Sequence, residues 1–155
     1  MPIDYIPRTR ELYSDYAPYR WVVNETVPWT PLRKPLSQCK VALMSSGGIV
    51  YRDQPRFHRE DASYRRIPKD ARPEDLDVWH FGYPTGDAKK DPNCVFPLER
   101  LREFEREGII GELCDPAFSF MGGIYSSRKV RDELAPQIAD ELKRAHVDAF
   151  YLVPA

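Results

Sequence analysis

From Cys39 onward, apolar residues fall in short blocks separated by glycine, proline and charge. The block CKVALMSSGG is apolar through Met44 and stops on Ser45, Ser46, Gly47 and Gly48. A run of that kind, closed by small residues, predicts a buried strand entering a tight turn. LDVWHFGY, from Leu76, reads as a second strand that runs into a loop at Gly82. The period changes in CVFPLERLREFEREG. Leu98, Leu101 and Phe104 line one helical face, Pro97 suits a first turn, and Gly108 marks the C-terminal stop. IIGELC and AFSFMGG are short apolar segments, the second ending on Gly122 and Gly123. Ser126 or Ser127 caps a following helix, along which Val130, Leu134, Ile138 and Leu142 recur at i+4 spacing. Pro136 should kink or split that helix. The last strand is DAFYLV, whose run from Phe150 to Val153 reads as buried.

This alternation of strands and helices predicts an α/β domain over residues 38–155. The expected form is an open, mainly parallel sheet with helices on both faces, Rossmann- or flavodoxin-like. In such a sheet the two glycine-pair loops gather at the carboxyl edge, where ligands bind; a glycine pair is equally an ordinary turn. Residues 51–75, rich in Arg, Asp and Pro with nearly balanced charge, read as a long solvated loop. Residues 1–37 differ. Six prolines (Pro2, Pro7, Pro18, Pro28, Pro31, Pro35) disfavour long helices and central strands, while Tyr5, Tyr13, Tyr16, Tyr19, Trp21 and Trp29 call for burial. An extended N-terminal arm that packs on its own domain meets both demands, and one that packs on a partner meets them too.

Composition narrows the classes. The 155 residues suffice for one domain with a core, and 42% hydrophobic with 30% charged residues is ordinary globular composition. With 23 basic against 24 acidic residues the net charge is −1, so no broad basic field favours nucleic acid. The apolar runs are too short to span a bilayer, and the first residues lack a signal-peptide core, which points to the cytoplasm. Cys39, Cys94 and Cys114 are odd in number and widely spaced, suggesting neither a disulfide framework nor a zinc knuckle; each reads as a small buried residue.

Candidate chemistry is sparse. Gly47 and Gly48 lack dinucleotide spacing, no phosphate-loop motif occurs, and Ser45 and Ser46 do not form a hydrolase elbow. Of His58, His80 and His146, the last suits a helix end. His80, between a strand-like run and GYPTGD, is the best candidate for a polar group at the sheet edge, with a purely structural role as the alternative. Asn93 is a candidate helix cap, and Asp87 and Asp91 are candidate turn formers, too dispersed for a metal site.

Several stretches taken together resemble one family. They are VALMSSGGIV, DASYRRIP, HFGYPTGDAKKDPNCVFPLERLREF, GIIGE, FSFMGG and LAPQIADELKRAHVDAFYLVPA. The chain is similar over roughly residues 29–155 to the selenoprotein B family of glycine, sarcosine, betaine and D-proline reductases, and looks closest to the D-proline reductase-like subunit. The resemblance implies reductive C–N bond cleavage with a selenocysteine or cysteine nucleophile just after the final strand. That nucleophile would lie beyond Ala155, so the chain is expected to end before its redox motif and before the C-terminal half of the domain. An apolar patch should then lie exposed beside the last strand. No cofactor is implied within the chain; a pyruvoyl group belongs to a partner subunit. The resemblance further implies an amino-acid or amine substrate and a homo- or hetero-oligomer. By position, His80 and Tyr83 become proton or hydrogen-bond donors. Gly47 and Gly48 give backbone access, Ser63 and Arg65 position a carboxylate, and Asp87, Asp91 and Asn93 shape the loop above. Pro84 replaces an acidic residue found in relatives, which argues against assuming proline or glycine as the substrate. The alternative is a non-catalytic binding or assembly subunit on the same fold.

Overall fold

The computed structural model describes residues 5–12, 14–15 and 25–155, in two compact units, Met1–Pro31 and Leu32–Ala155. In the first, α1 (Tyr5–Leu12) carries Pro7 in its first turn, where a missing N–H breaks no helical bond. This helix interrupts the extended course expected there. Trp29 is exposed, and the side chains of Tyr5, Tyr13, Tyr16, Tyr19 and Trp21 lie outside the described residues.

The second unit runs β1 (Lys40–Ser45), β2 (Ile49–Tyr51), β3 (Tyr64–Ile67), β4 (Leu76–Val78), α2 (Gly86–Lys90), α3 (Leu98–Arg106), β5 (Glu112–Leu113), β6 (Ala117–Phe120), α4 (Ser127–Lys129), a π segment (Val130–Leu134), α5 (Ala135–Arg144) and β7 (Ala149–Val153). It is an α/β fold built around β1. On one side β7 runs parallel to β1 from Val41↔Ala149 to Ser45↔Val153. On the other, β5 pairs with the start of β1 (Lys40↔Glu112) and β6 with its end (Ser45↔Ser119), both parallel. Since β5 and β6 lie beside the same edge of β1, they act as one strand interrupted at 114–116.

The sheet is mixed, because β3 joins β6 antiparallel with Tyr64 opposite Phe120. This strand lies inside the segment expected to be loop. Its polar sequence YRRI hides it, because Arg65 is largely covered by polar partners rather than by hydrophobic packing. The strand expected at Leu76 is also placed differently. β4 leaves the main sheet and pairs antiparallel with β2, Ile49 opposite Val78.

Alternation along β1 builds two cores. Val41 and Leu43 join Leu98 and Leu101 of α3 in one cluster, while Met44 packs with Phe118, Leu134 and Ile138 in another. Helices therefore cover both faces. Phe104 was expected on the inward stripe of α3 but is 41% exposed. The inward stripe follows Leu98, Leu101 and Glu105, and Glu105 takes the Leu113 N–H at 2.8 Å and Lys69 Nζ at 3.0 Å. Helix α3 stops as Gly108 predicts: Gly108 has φ +71, its N–H bonds Glu105 O, and the Ile109 N–H bonds Phe104 O. Pro136 neither breaks nor simply kinks the next helix. The preceding turn widens to π geometry, in which the Ala135 N–H reaches Val130 O. A wider turn relieves the clash between the proline ring and the carbonyl four residues back.

β7 corrects a further expectation. It is an edge strand, not a buried one, for among the described residues its outer side pairs with nothing. Phe150, Tyr151 and Leu152 are 42%, 47% and 48% exposed, an apolar patch beside the last strand. No described helix is long and apolar enough to cross a membrane.

Candidate active site at the carboxyl edge of the sheet

The carboxyl ends of β1, β6 and β7 meet in a small web of backbone bonds. Ser46 N–H donates to Val153 O at 3.0 Å, and Ser46 O accepts from Gly122 N–H at 2.9 Å. Ser46 Oγ accepts from Ala155 N–H at 2.8 Å, so the chain leaving β7 is held against the loop leaving β1. Gly48 N–H reaches Phe120 O, and Gly47 pairs across to Met121. Both glycine pairs thus lie at one sheet edge, and sterics explain two of the glycines. Gly48 has φ +73, and a Cβ there would overlap the Trp79 carbonyl oxygen. A Cβ on Gly122 would come within 2.9 Å of Ser46 Cβ.

The loop after β4 lies over this web. Tyr83 Oη donates to Gly47 O at 2.9 Å, which occupies its proton in fixing the glycine loop. Burial, and secondarily the Cys94 thiol nearby, pushes the Tyr83 phenol above its usual value. The His80 ring packs against the Tyr83 ring, centroids 4.5 Å apart. His80 Nδ1 accepts the Gly82 N–H at 2.9 Å, so the ring proton belongs on Nε2. Nε2 is buried and has no hydrogen-bond partner among the described residues. Burial also holds the imidazole pKa below 6.5, which keeps it neutral at pH 7. The result is a neutral imidazole fixed as an Nε2–H donor, with no acceptor among the described residues.

Ser63 and Arg65 belong to a different network. Arg65 Nε donates to Pro55 O at 2.7 Å, Nη1 to Ser63 Oγ at 2.7 Å and Nη2 to Asp61 at 3.1 Å, while the guanidinium lies over the Phe57 ring. Burial raises the Asp61 carboxyl, but the Ser63 hydroxyl and amide, joined by Arg65, bring it below its ordinary value. In this conformation Arg65 knits the loop before β3 and is not open to a bidentate carboxylate. Asp87 is exposed and pairs with Lys90. Asp91 caps the turn at 92–94 by accepting the Asn93 N–H at 3.0 Å, and Asn93 Oδ1 accepts the Glu99 N–H at the start of α3. Asp91 and Asn93 shape the loop between α2 and α3, while Asp87 pairs within α2.

Cys39 and Cys114 are buried as expected, but Cys94 is exposed, because it closes the capped surface turn rather than facing the core. Sequence pattern singled out His80 but not its tautomer. That depends on where the Gly82 amide points, which no residue type encodes.

Comparison with known proteins adds to this geometry. Residues 15–155 match the family model described as glycine/sarcosine/betaine reductase selenoprotein B. The chain is 41% identical over 125 residues to the D-proline reductase subunit gamma of Acetoanaerobium sticklandii, covering 80% of this chain and 52% of that protein. It is 37% identical over 135 residues to the glycine reductase complex component B subunit gamma of Symbiobacterium thermophilum, 83% of this chain and 31% of that protein. It is 39% identical over 110 residues to the sarcosine reductase complex component B subunit beta of Peptoclostridium acidaminophilum, 67% of this chain and 25% of that protein. The chain therefore spans about half the length of the first relative and a third or less of the others. No solved structure matches.

Proposed function

The chain belongs to the glycine/sarcosine/betaine reductase selenoprotein B family, and from that membership we propose that it is a subunit of a reductase that cleaves C–N bonds of amino acids or amines. The matched relatives are named as subunits of reductases or of reductase complexes, which supports assembly with a second subunit. Reductive cleavage breaks the C–N bond with two electrons and two protons, leaving one hydrogen on carbon and one on nitrogen. The electrons are assigned to a selenocysteine or cysteine pair on the segment following Ala155, and activation of the amine to a pyruvoyl group on the partner subunit.

The roles of this chain's own residues follow from the sheet edge. Ser46 holds the exit of β7 beside the glycine loops, through its N–H to Val153 and its Oγ from Ala155. A reactive anion on the next turn would lie close to backbone amides, which stabilise it. Tyr83 holds Gly47 in place, and the missing Cβ of Gly48 lets the Trp79 backbone close against the loop. Ser63 with Arg65, and Asp91 with Asn93, brace the loops on either side. His80 is the assigned donor to the departing nitrogen or to a substrate oxygen. The single observation that carries this reading is the buried, unpartnered Nε2 of His80 beside the Gly47 loop. A buried polar group without a partner costs about 1–3 kcal/mol, and a substrate acceptor would recover it.

The test is to purify the native assembly that contains this chain and supply a dithiol with glycine, sarcosine, betaine or D-proline, or with other amines. Dithiol oxidation stoichiometric with C–N cleavage is expected; an assembly inert toward every such compound contradicts the reading. The exposed Phe150–Leu152 edge favours a second reading, an assembly subunit without chemistry of its own. In that case the chain binds its partner and the assembly stays inert.

A further inference from the structure

The two edges of the main sheet differ. β3 forms one and is guarded: it carries Arg65 and Arg66, and the Gln54 side chain donates to Arg66 O at 2.8 Å. β7 forms the other. From Ala149 to Val153 it has no charge and no proline, its register with β1 is unbroken, and among the described residues nothing pairs with its outer side. Phe150, Tyr151 and Leu152 are each close to half exposed. A bare apolar edge of this kind is a template for another strand.

The outward groups restrict which strand fits. Val153 O accepts the Ser46 N–H at 3.0 Å, so Ala149, Tyr151 and Val153 turn their backbone groups toward β1. Phe150 and Leu152 then point N–H and C=O outward, and Pro154 has no N–H with which to lengthen the row. Side chains alternate in the same way. Phe150 and Leu152 stand beside Ala42 and Met44 on the α5 face, and Tyr151 beside Leu43 on the α3 face. About Tyr151 this pattern is symmetric, so the strand is complementary to a reversed copy of itself.

We propose that β7 pairs antiparallel with β7 of a second copy of this chain, about a two-fold axis at Tyr151, and joins the two sheets into one. Phe150 then lies opposite Leu152 of the second copy, and Leu152 opposite Phe150 of the second copy. Each such pair exchanges both of its backbone hydrogen bonds, and the two Tyr151 rings meet as the close, non-hydrogen-bonded pair. Charge agrees with this register: Asp148, bound to Lys34 at 2.7 Å, falls opposite Pro154 of the second copy, so no like charges face each other. The contact is small, which sets a reversible dimer with a Kd of about 10–100 µM rather than a permanent one. The inference goes beyond the reductase reading and stands apart from it, because association is measured without turnover.

Sedimentation equilibrium of the chain from about 5 to 500 µM tests it. A monomer–dimer transition is expected, and the Phe150 and Leu152 amides should exchange with solvent about threefold or more slowly at the top of that range than at the bottom. Tyr151→Lys and Tyr151→Glu each set like charges against one another at the axis and should raise the Kd about tenfold or more. An equal mixture of the two variants should dimerise again, because the charges are then opposite. Tyr125→Lys, on a fully exposed tyrosine outside β7, should leave the Kd unchanged. A monomer across the whole range overturns the proposal: with fast exchange at 150 and 152 the edge is free, and with slow exchange another part of the chain covers it. A dimer that keeps its Kd in both Tyr151 variants is built on a different surface and overturns it as well. So does a mixture of the two variants that fails to associate.

Discussion

Replacing Gly48 by alanine perturbs the carboxyl edge at its tightest point. Gly48 joins β1 to β2, has φ +73, and its N–H and C=O bond Phe120 O and the Trp79 N–H at 2.9 and 2.8 Å. A left-handed backbone costs a non-glycine residue about 1–2 kcal/mol. The added methyl would also lie 2.8 Å from the Trp79 carbonyl carbon and closer still to its oxygen. Both atoms are backbone, so no rotamer change relieves the overlap. Overpacking of that kind costs about 1–3 kcal/mol more, which places the total at about 2–5 kcal/mol. Urea unfolding of the chain, followed by tryptophan fluorescence and circular dichroism, measures it. With a slope of about 2 kcal/mol per molar urea, the midpoint should fall by about 1–2.5 M. Gly86→Ala is the control, since a Cβ there meets nothing within 4 Å, and its midpoint should move by about 0.5 M at most. A Gly48→Ala midpoint as close to wild type as the control's would refute the steric reasoning.

Two further predictions concern charge. Asp61→Asn should destabilise the chain by about 3 kcal/mol, because it leaves the largely buried Arg65 guanidinium without its carboxylate, 3.1 Å away; a loss below about 1 kcal/mol would show that the Ser63, Tyr64 and Pro55 oxygens suffice. His80 sets a pH dependence. Its folded pKa lies below 6.5, so its contribution to stability is complete above 6.5 and is lost as the pH falls below that value through the folded pKa. Denaturation midpoints between pH 7.5 and 5.5 should decline in wild type and decline less in His80→Gln, and ¹⁵N shifts of the ring should report an Nε2–H tautomer; equal slopes with an Nδ1–H tautomer would contradict the geometry.

What the sequence showed and what it hid follow from how each feature is encoded. β1 was legible because its burial comes from its own apolar run, and α3 because Gly108 must adopt a left-handed backbone at the helix end. β3 was not, because Arg65 is largely covered by Asp61, Ser63, Pro55 and Phe57, partners that only the folded loop brings together. β4 read as another parallel strand because hydrophobicity does not name a partner, and its pairing with β2 is set by the tight turn at Gly48. The apolar run in β7 implied burial, but a strand is covered only where a neighbour lies beside it, and among the described residues one side has none. At the site, the glycine pairs and His80 were visible as residue types. Their convergence depends on the parallel pairing of β1 with β6 and β7, and the tautomer of His80 on one amide at Gly82.

The central claim is that the unpartnered Nε2–H of the neutral His80 ring donates a hydrogen bond to a substrate acceptor in C–N cleavage at the carboxyl edge. His80→Phe tests it most directly, because phenylalanine keeps a ring beside Tyr83 and removes the N–H donor. In the native assembly, the single-turnover rate of C–N cleavage should fall by about 10²–10³-fold. A cleavage rate within about threefold of wild type would contradict the account and leave His80 a structural residue beneath Tyr83.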